Sequence, residues 1–172
     1  MIRGRSTAVL AVSIVLALSS CSGEKKNYAV PDELCGAQVK PELTEALLPG
    51  GDKIKVLNEK SNSSPPYHYC MVYVDGKAEL SVEGVWHPTG TTAKQAAEDS
   101  LVFNTRPIKG GRFEVVEGTM VTVVDCKNPE YDAGRFSFEL EVTNPDGDIS
   151  EKMQRFLAAF SESYRKTLPC QN

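Results

Sequence analysis

A chain of 172 residues and 18.8 kDa has room for one compact domain and a tail. Hydrophobic residues at 41% and charged residues at 24% exclude disorder throughout. The formal charge of −4 argues against nucleic acid, which needs a clustered basic surface, and the odd count of 5 cysteines gives at least one a role other than intramolecular pairing.

Residues 1–20 read as an export signal. Arg3 and Arg5 make a short basic start, and an apolar run of 11 residues follows from Ala8 to Leu18. A helix needs about 20 residues to cross a bilayer core, so this run is too short to span and suits a signal peptide. Gly4 separates the two arginines, which argues against a twin-arginine signal. Leu18-Ser19-Ser20-Cys21 then resembles the bacterial lipobox. In lipoproteins carrying that box the cysteine thiol receives diacylglycerol and becomes the new N-terminus. The resemblance implies that Cys21 is acylated and that the chain is anchored to the extracytoplasmic face of the cell membrane. A soluble secreted protein cut near Ser20 is the alternative, but it would leave Cys21 as a free thiol in an oxidising compartment. Residues 21–30, polar after the cysteine, read as a flexible tether, and residues 31–172 as a single domain.

Cys35, Cys70, Cys126 and Cys170 remain, an even number in an exported chain, and point to two disulfides. A zinc site is disfavoured because its ligands usually come in close pairs, and these cysteines are far apart in sequence. Four cysteines allow three connectivities.

In chain order, Pro41 to Leu48 reads as a short helix begun by proline and stopped by Pro49-Gly50-Gly51. Lys53 to Leu57 alternates as a strand, and Asn58 to Pro66 is a loop. Asn62-Ser63-Ser64 matches a glycosylation sequon but carries no weight beside a bacterial lipobox. Asp75-Gly76 between two β-rich runs, Tyr67–Val74 and Lys77–His87, signals a tight hairpin. An unbroken register puts Tyr69, Met71 and Tyr73 opposite Val82, Leu80 and Ala78, on the side of Trp86. That side is expected to be core, and His68, Cys70 and Val72 are expected on a half-polar side, with His68 facing Glu83.

Thr92 and Gln95 have capping-box spacing at the head of a helix over Ala93 to Phe103. Strands follow at Arg112–Glu117, Met120–Cys126 and Arg135–Thr143, the last alternating cleanly through Phe136, Phe138, Leu140 and Val142. A final helix, capped by Asp148, repeats Met153, Phe156, Leu157, Phe160, Tyr164 and Leu168 at helical spacing, and Pro169 ends it. The order αβββαβββα predicts an α+β domain with an antiparallel sheet of five or six strands and flanking helices. The two three-strand runs form a loose pseudo-repeat with a cysteine in each middle strand. That symmetry favours Cys35–Cys70 with Cys126–Cys170 among the three connectivities.

Catalytic signatures are scarce. No Gly-x-Ser-x-Gly, His-Glu-x-x-His or phosphate-loop pattern is present. His68 reads as one member of a solvated cross-strand pair and His87 as a surface residue at a strand end. Asp125, Asp132, Asp146 and Asp148 lack calcium-loop spacing. Glu79, Glu83, Glu139 and Glu141 read as solvated strand acids, with a carboxylate pair for hydrolysis the sharper alternative. The aromatic side of Tyr67, Tyr69, Tyr73 and Trp86 reads as core before it reads as a ligand pocket. No catalytic residue, metal or cofactor is expected.

The lipobox and polar lead-in, Val30-Pro31-x-x-Leu34-Cys35-Gly36, Leu47-Leu48-Pro49-Gly50, Cys70-x-Val72-x-Val74-Asp75-Gly76 and a last helix ending in Cys170 together resemble the small cell-envelope lipoproteins of actinobacteria. The resemblance implies location and disulfides and adds no site residues. Some envelope lipoproteins of this size have an antiparallel sheet flanked by helices similar to the PsbP type, an implication of fold alone. The function expected is a non-enzymatic, membrane-anchored module that binds a protein or envelope partner. A small-ligand domain with a pocket between sheet and helices, or a hydrolase, are the alternatives.

Overall fold

A computed structural model describes residues 25–171; the export signal, the lipobox and Cys21 lie outside the described residues. Residues 25–30, read from the sequence as part of a flexible tether, are docked on the domain. Backbone bonds join Asn27 N to Gly51 O at 2.8 Å and Gly51 N to Lys25 O at 3.1 Å, and Val30 is buried.

A small hairpin of β1 (Glu33–Leu34) and β2 (Ala37–Gln38) comes first, turned by Cys35 and Gly36 at φ 52° and 91°. Helix α1 (Pro41–Glu45) follows with proline in its first turn. Seven strands then form one antiparallel sheet: β3 (Ile54–Lys60), β4 (His68–Val74), β5 (Lys77–His87), β6 (Arg106–Ile108), β7 (Phe113–Val116), β8 (Thr119–Asn128) and β9 (Ala133–Val142). Their spatial order is β3-β4-β5-β9-β8-β7-β6. Helix α2 (Ala93–Asp99) joins β5 to β6, and α3 (Ser150–Tyr164) closes the chain.

The α+β class and the antiparallel sheet agree with the sequence reading, but the sheet has seven strands instead of five or six. The order also gains the β1–β2 hairpin ahead of α1 and the strand β6 ahead of the second three-strand run. Strands of two or three residues are too short to show alternation. Pro107 in β6 cannot donate to a ladder, so it is tolerated only at an edge, where it lies. Helix α2 is shorter than its apolar pattern suggests. Val102 N returns to Ala97 O at 2.8 Å and Leu101 takes φ 62°, a left-handed helix ending in which glycine is the usual residue. The Thr92–Gln95 capping box is present as read.

The β4–β5 register departs from the sequence reading, with a consequence for every side chain on it. Asp75 and Gly76 both take positive φ, and the first pairs, Val74 with Lys77 and Tyr73 with Ala78, are those of a tight two-residue turn. A bulge at Glu79 then shifts the ladder, so that Val72 faces Leu80, Cys70 faces Val82 and His68 faces Gly84. Cys70, Val72 and Val74 thereby share a face with Leu80, Val82 and Trp86, all buried. Tyr69, Met71 and Tyr73 turn to the opposite face, and His68 no longer meets Glu83. The core side expected of β5, with Leu80, Val82 and Trp86, is the one found, and that expected of β4 is the outer one. Without the bulge, Val72 and Cys70 would have lain beside Glu79 and Ser81, a half-polar surface unfit for burial.

The core lies on the Cys70–Trp86 face. Helix α3 lays Met153, Phe156, Leu157, Phe160 and Tyr164 over Phe136, Phe138, Leu140 and Met120. Phe156, Phe160 and Tyr164 stack in series along the helix with ring centroids 5.7 and 5.5 Å apart. Phe138 meets Phe160 edge-on at 5.9 Å. Both disulfides pin outlying chain to this layer. Cys35–Cys70 ties the β1–β2 turn to β4 with Cα atoms 5.7 Å apart, and Cys126–Cys170 ties the exit of α3 to β8 at 4.8 Å. The pairing favoured by the pseudo-repeat is the one found. No helix among the described residues is long and apolar enough to cross a membrane.

Gly84 sits where β5 passes under the Phe136 ring. A Cβ there would stand 2.6 Å from two ring carbons. Gly84→Ala should therefore destabilise the fold by about 1–3 kcal/mol, read as a lower urea midpoint with an unchanged slope.

Candidate functional site

The two histidines lie on opposite faces of the sheet. His68 is on the core face, with Nδ1 2.7 Å from the Tyr164 hydroxyl and its ring edge-on to Phe136 at 5.4 Å. Burial pushes its pKa down to about 4, with Lys60 adding to the shift. Its Nε2 is buried without a partner among the described residues. His68 therefore serves as an aromatic core residue rather than a solvated one. Beside it the space under the Cys35–Cys70 disulfide amounts to about 10 Å³, room for a single water at most.

His87 is also buried, not a surface residue. Its Nε2 lies 2.9 Å from Ser137 Oγ and its Nδ1 3.5 Å from an Asp99 carboxylate oxygen. Acid, imidazole and hydroxyl stand in the order that activates a serine for acyl transfer. Ser137, however, is 3% exposed in the middle of β9, so no substrate carbonyl can approach its oxygen. Its hydroxyl also donates to Val85 O at 3.4 Å. The constellation clamps the C-terminal end of α2 onto the sheet. Burial lowers the pKa of His87, with Asp99 opposing the shift.

The second face of the sheet is covered unevenly. Ala96 and Ala97 of α2 pack on Val121, with Val102 and Val123 beside them, closing the β8 side. Among the described residues no helix covers the β3–β4–β5 side. Register places the residues of this face in rows across the strands. One row runs Glu114 on β7, Val121 on β8, Glu139 on β9, Glu83 on β5, Tyr69 on β4 and Glu59 on β3. The next runs Thr119, Glu141, Ser81, Met71 and Leu57. Tyr73 lies beside Lys55 at one end, and Tyr67, 44% exposed, precedes β4 at the other. Leu101 at 76% and Phe103 at 56% exposure project from the chain leaving α2. The Ser100 hydroxyl at that exit partly offsets the rise in the Glu139 pKa.

Neighbouring strands are about 4.8 Å apart, so Glu83 and Glu139 are adjacent like charges. Neither is in an ion pair among the described residues. Both pKa values are raised. Burial is the leading cause for each; repulsion from Glu83 and Glu141 adds to it at Glu139, and the Tyr69 hydroxyl partly offsets it at Glu83. Glu114 differs, being buried under α2 and satisfied by the Thr105 hydroxyl at 2.7 Å. Of the four strand acids expected to be ordinary solvated residues, Glu83 and Glu139 are thus partly desolvated and set side by side, and Glu141 is exposed. Glu83 and Glu139 were legible as candidates, but their adjacency depends on the β5–β9 pairing, which carries no local sequence signal. Among the described residues no three His, Cys, Asp or Glu side chains converge in a way that would hold a metal ion.

Comparison with protein-family models, with curated proteins and with solved structures finds no match to this chain.

Two outcomes follow from these pKa directions. A folded pKa below the ordinary histidine value means the unfolded chain binds the proton more tightly. The contribution of His68 is thus complete above pH about 6.5 and declines until about pH 4. His68→Gln should flatten that part of the urea-midpoint profile. Conversely, Glu83→Gln should raise stability at pH 7 by up to about 1 kcal/mol, because it relieves a like-charge cross-strand pair; denaturation of the single variant measures it.

Proposed function

We propose that this protein is a lipid-anchored, non-enzymatic binding module of the cell envelope, and that it engages a partner on the open half of its second sheet face. The observation that carries the reading is that uncovered surface, where Tyr67 and Tyr69 are exposed and Met71 lies on the same face. Large side chains grouped on an exposed face mark interaction surfaces in soluble domains. Anchorage rests on the lipobox ending in Cys21, and the likeness to small actinobacterial lipoproteins and to the PsbP type rests on motif and element order.

The anchor also orients the domain. Four residue steps separate Cys21 from Lys25, which is docked on Gly51. Extended chain covers at most about 14 Å in that span. The Gly51 end of the sheet is then held at the bilayer, and the strands lead away from it with the open face turned sideways. A partner has lateral access.

A hydrolase is the second reading, favoured by the adjacent Glu83 and Glu139 with raised pKa values. It requires a cleft that isolates the two carboxyls from water, whereas Tyr69 beside them is 37% exposed. The small-ligand reading calls for room between sheet and helices; the void at the Cys35–Cys70 disulfide is too small for it, and the larger hollow of about 670 Å³ lies beside Leu48, Glu79, Val142 and Ile149.

Cys21→Ser should abolish lipid labelling and move the protein from the detergent phase to the aqueous phase. Partition of that variant with detergent, as for the parent, would remove the anchor from the reading.

A further inference from the structure

We infer that the open half of the second sheet face binds a cationic polypeptide segment whose lysine or arginine side chains alternate with apolar ones. The inference rests on the binding reading above and assigns the chemistry of the partner.

The argument is one of charge and spacing. Glu59, Glu83, Glu139 and Glu141 stand on this face, with Lys55 as the one basic residue in the rows described. Around and between the acids stand Leu57, Tyr69, Met71 and Tyr73. An apolar face alone would accept any greasy partner, and an acidic one alone would be a solvated strand surface. The combination, with Glu83 and Glu139 adjacent, partly desolvated and outside any ion pair among the described residues, leaves negative charge that a cation relieves. Tyrosine rings beside the carboxylates also receive cations on their faces.

Size selects a polypeptide. Tyr67 to Tyr73 extends about 20 Å along β4, and β3 to β9 spans about 14 Å across. A metal ion or a small amine would engage one pair of acids and leave the apolar rows bare. A second copy of this chain is disfavoured, because a two-fold contact through this face sets the glutamates of one protomer against those of the other.

The test uses the full-length protein in detergent and a labelled peptide of alternating lysine and leucine. About eight residues, or about 26 Å extended, cover the face. Fluorescence anisotropy at about 50 mM salt should show binding that weakens as salt is added, and a glutamate–leucine peptide should not bind. The double variant Glu83→Gln, Glu139→Gln should weaken the lysine peptide about tenfold or more. Because it removes a repulsive pair, it should fold at least as well as the parent. Glu151→Gln, in the first turn of α3 on the other face, should leave binding unchanged. Equal binding of both peptides, or full affinity in the double variant, would overturn the inference. So would sedimentation showing a dimer that Met71→Glu dissociates. If Tyr69→Ala with Met71→Ala abolishes capture of an envelope partner while the charge-neutral double variant retains it, the cationic assignment falls and the binding reading survives.

Discussion

The stacked aromatic side of α3 can be buried against only one face of the sheet, and the rest of the architecture follows from which face that is. Phe156, Phe160 and Tyr164 lie over Phe136 and Phe138, and each strand that joins the sheet must present its apolar parity to the same side. β9 does so by simple alternation. β4 and β5 do so only because the bulge at Glu79 removes one residue from the pairing. Once that choice is made, period-two geometry sends Tyr69, Met71, Tyr73, Glu83 and Glu139 to the opposite side without exception.

That opposite side has much less to cover it. α2 is a helix of seven residues whose buried positions are three alanines, and it shields β8 and its immediate neighbours. The polar clamp of Asp99, His87 and Ser137 fixes its C-terminal end, and the left-handed turn at Leu101 directs the chain back toward β6. The boundary between covered and open halves thus falls along β9 and β5, where the two adjacent glutamates lie. Like charges set opposite one another oppose folding. Here they stand at the margin of an aromatic surface, where a positively charged partner would offset the cost.

The disulfides act at the periphery of the layer. One fastens a hairpin of two-residue strands that would not persist alone, and the other fastens the segment following α3, which also bridges Lys127 through Gln171. The loops they close hold α1 and β3 in one case and β9 and α3 in the other, so each bond restricts a long stretch of the unfolded chain.

Much of this was written locally in the sequence. The period of β9, the apolar repeat of α3, the capping box of α2 and the paired left-handed residues of the β4–β5 turn are all set by neighbours within a few positions, so they could be read directly. The number of strands was not legible, because β1, β2 and β6 are too short to carry a period. Nor was the outward turn of Tyr69, Met71 and Tyr73. Both faces of β4 are apolar enough to serve as core, and only the demand that β4 match Leu80, Val82 and Trp86 under α3 places a bulge at Glu79. His87 reads locally as a strand-end residue before proline, and α2 arriving from later in the chain is what buries it. The adjacency of Glu83 and Glu139 is decided in the same way, by pairing strands more than fifty residues apart in sequence, since the energy that selects that pairing comes from the helix packed on the other side.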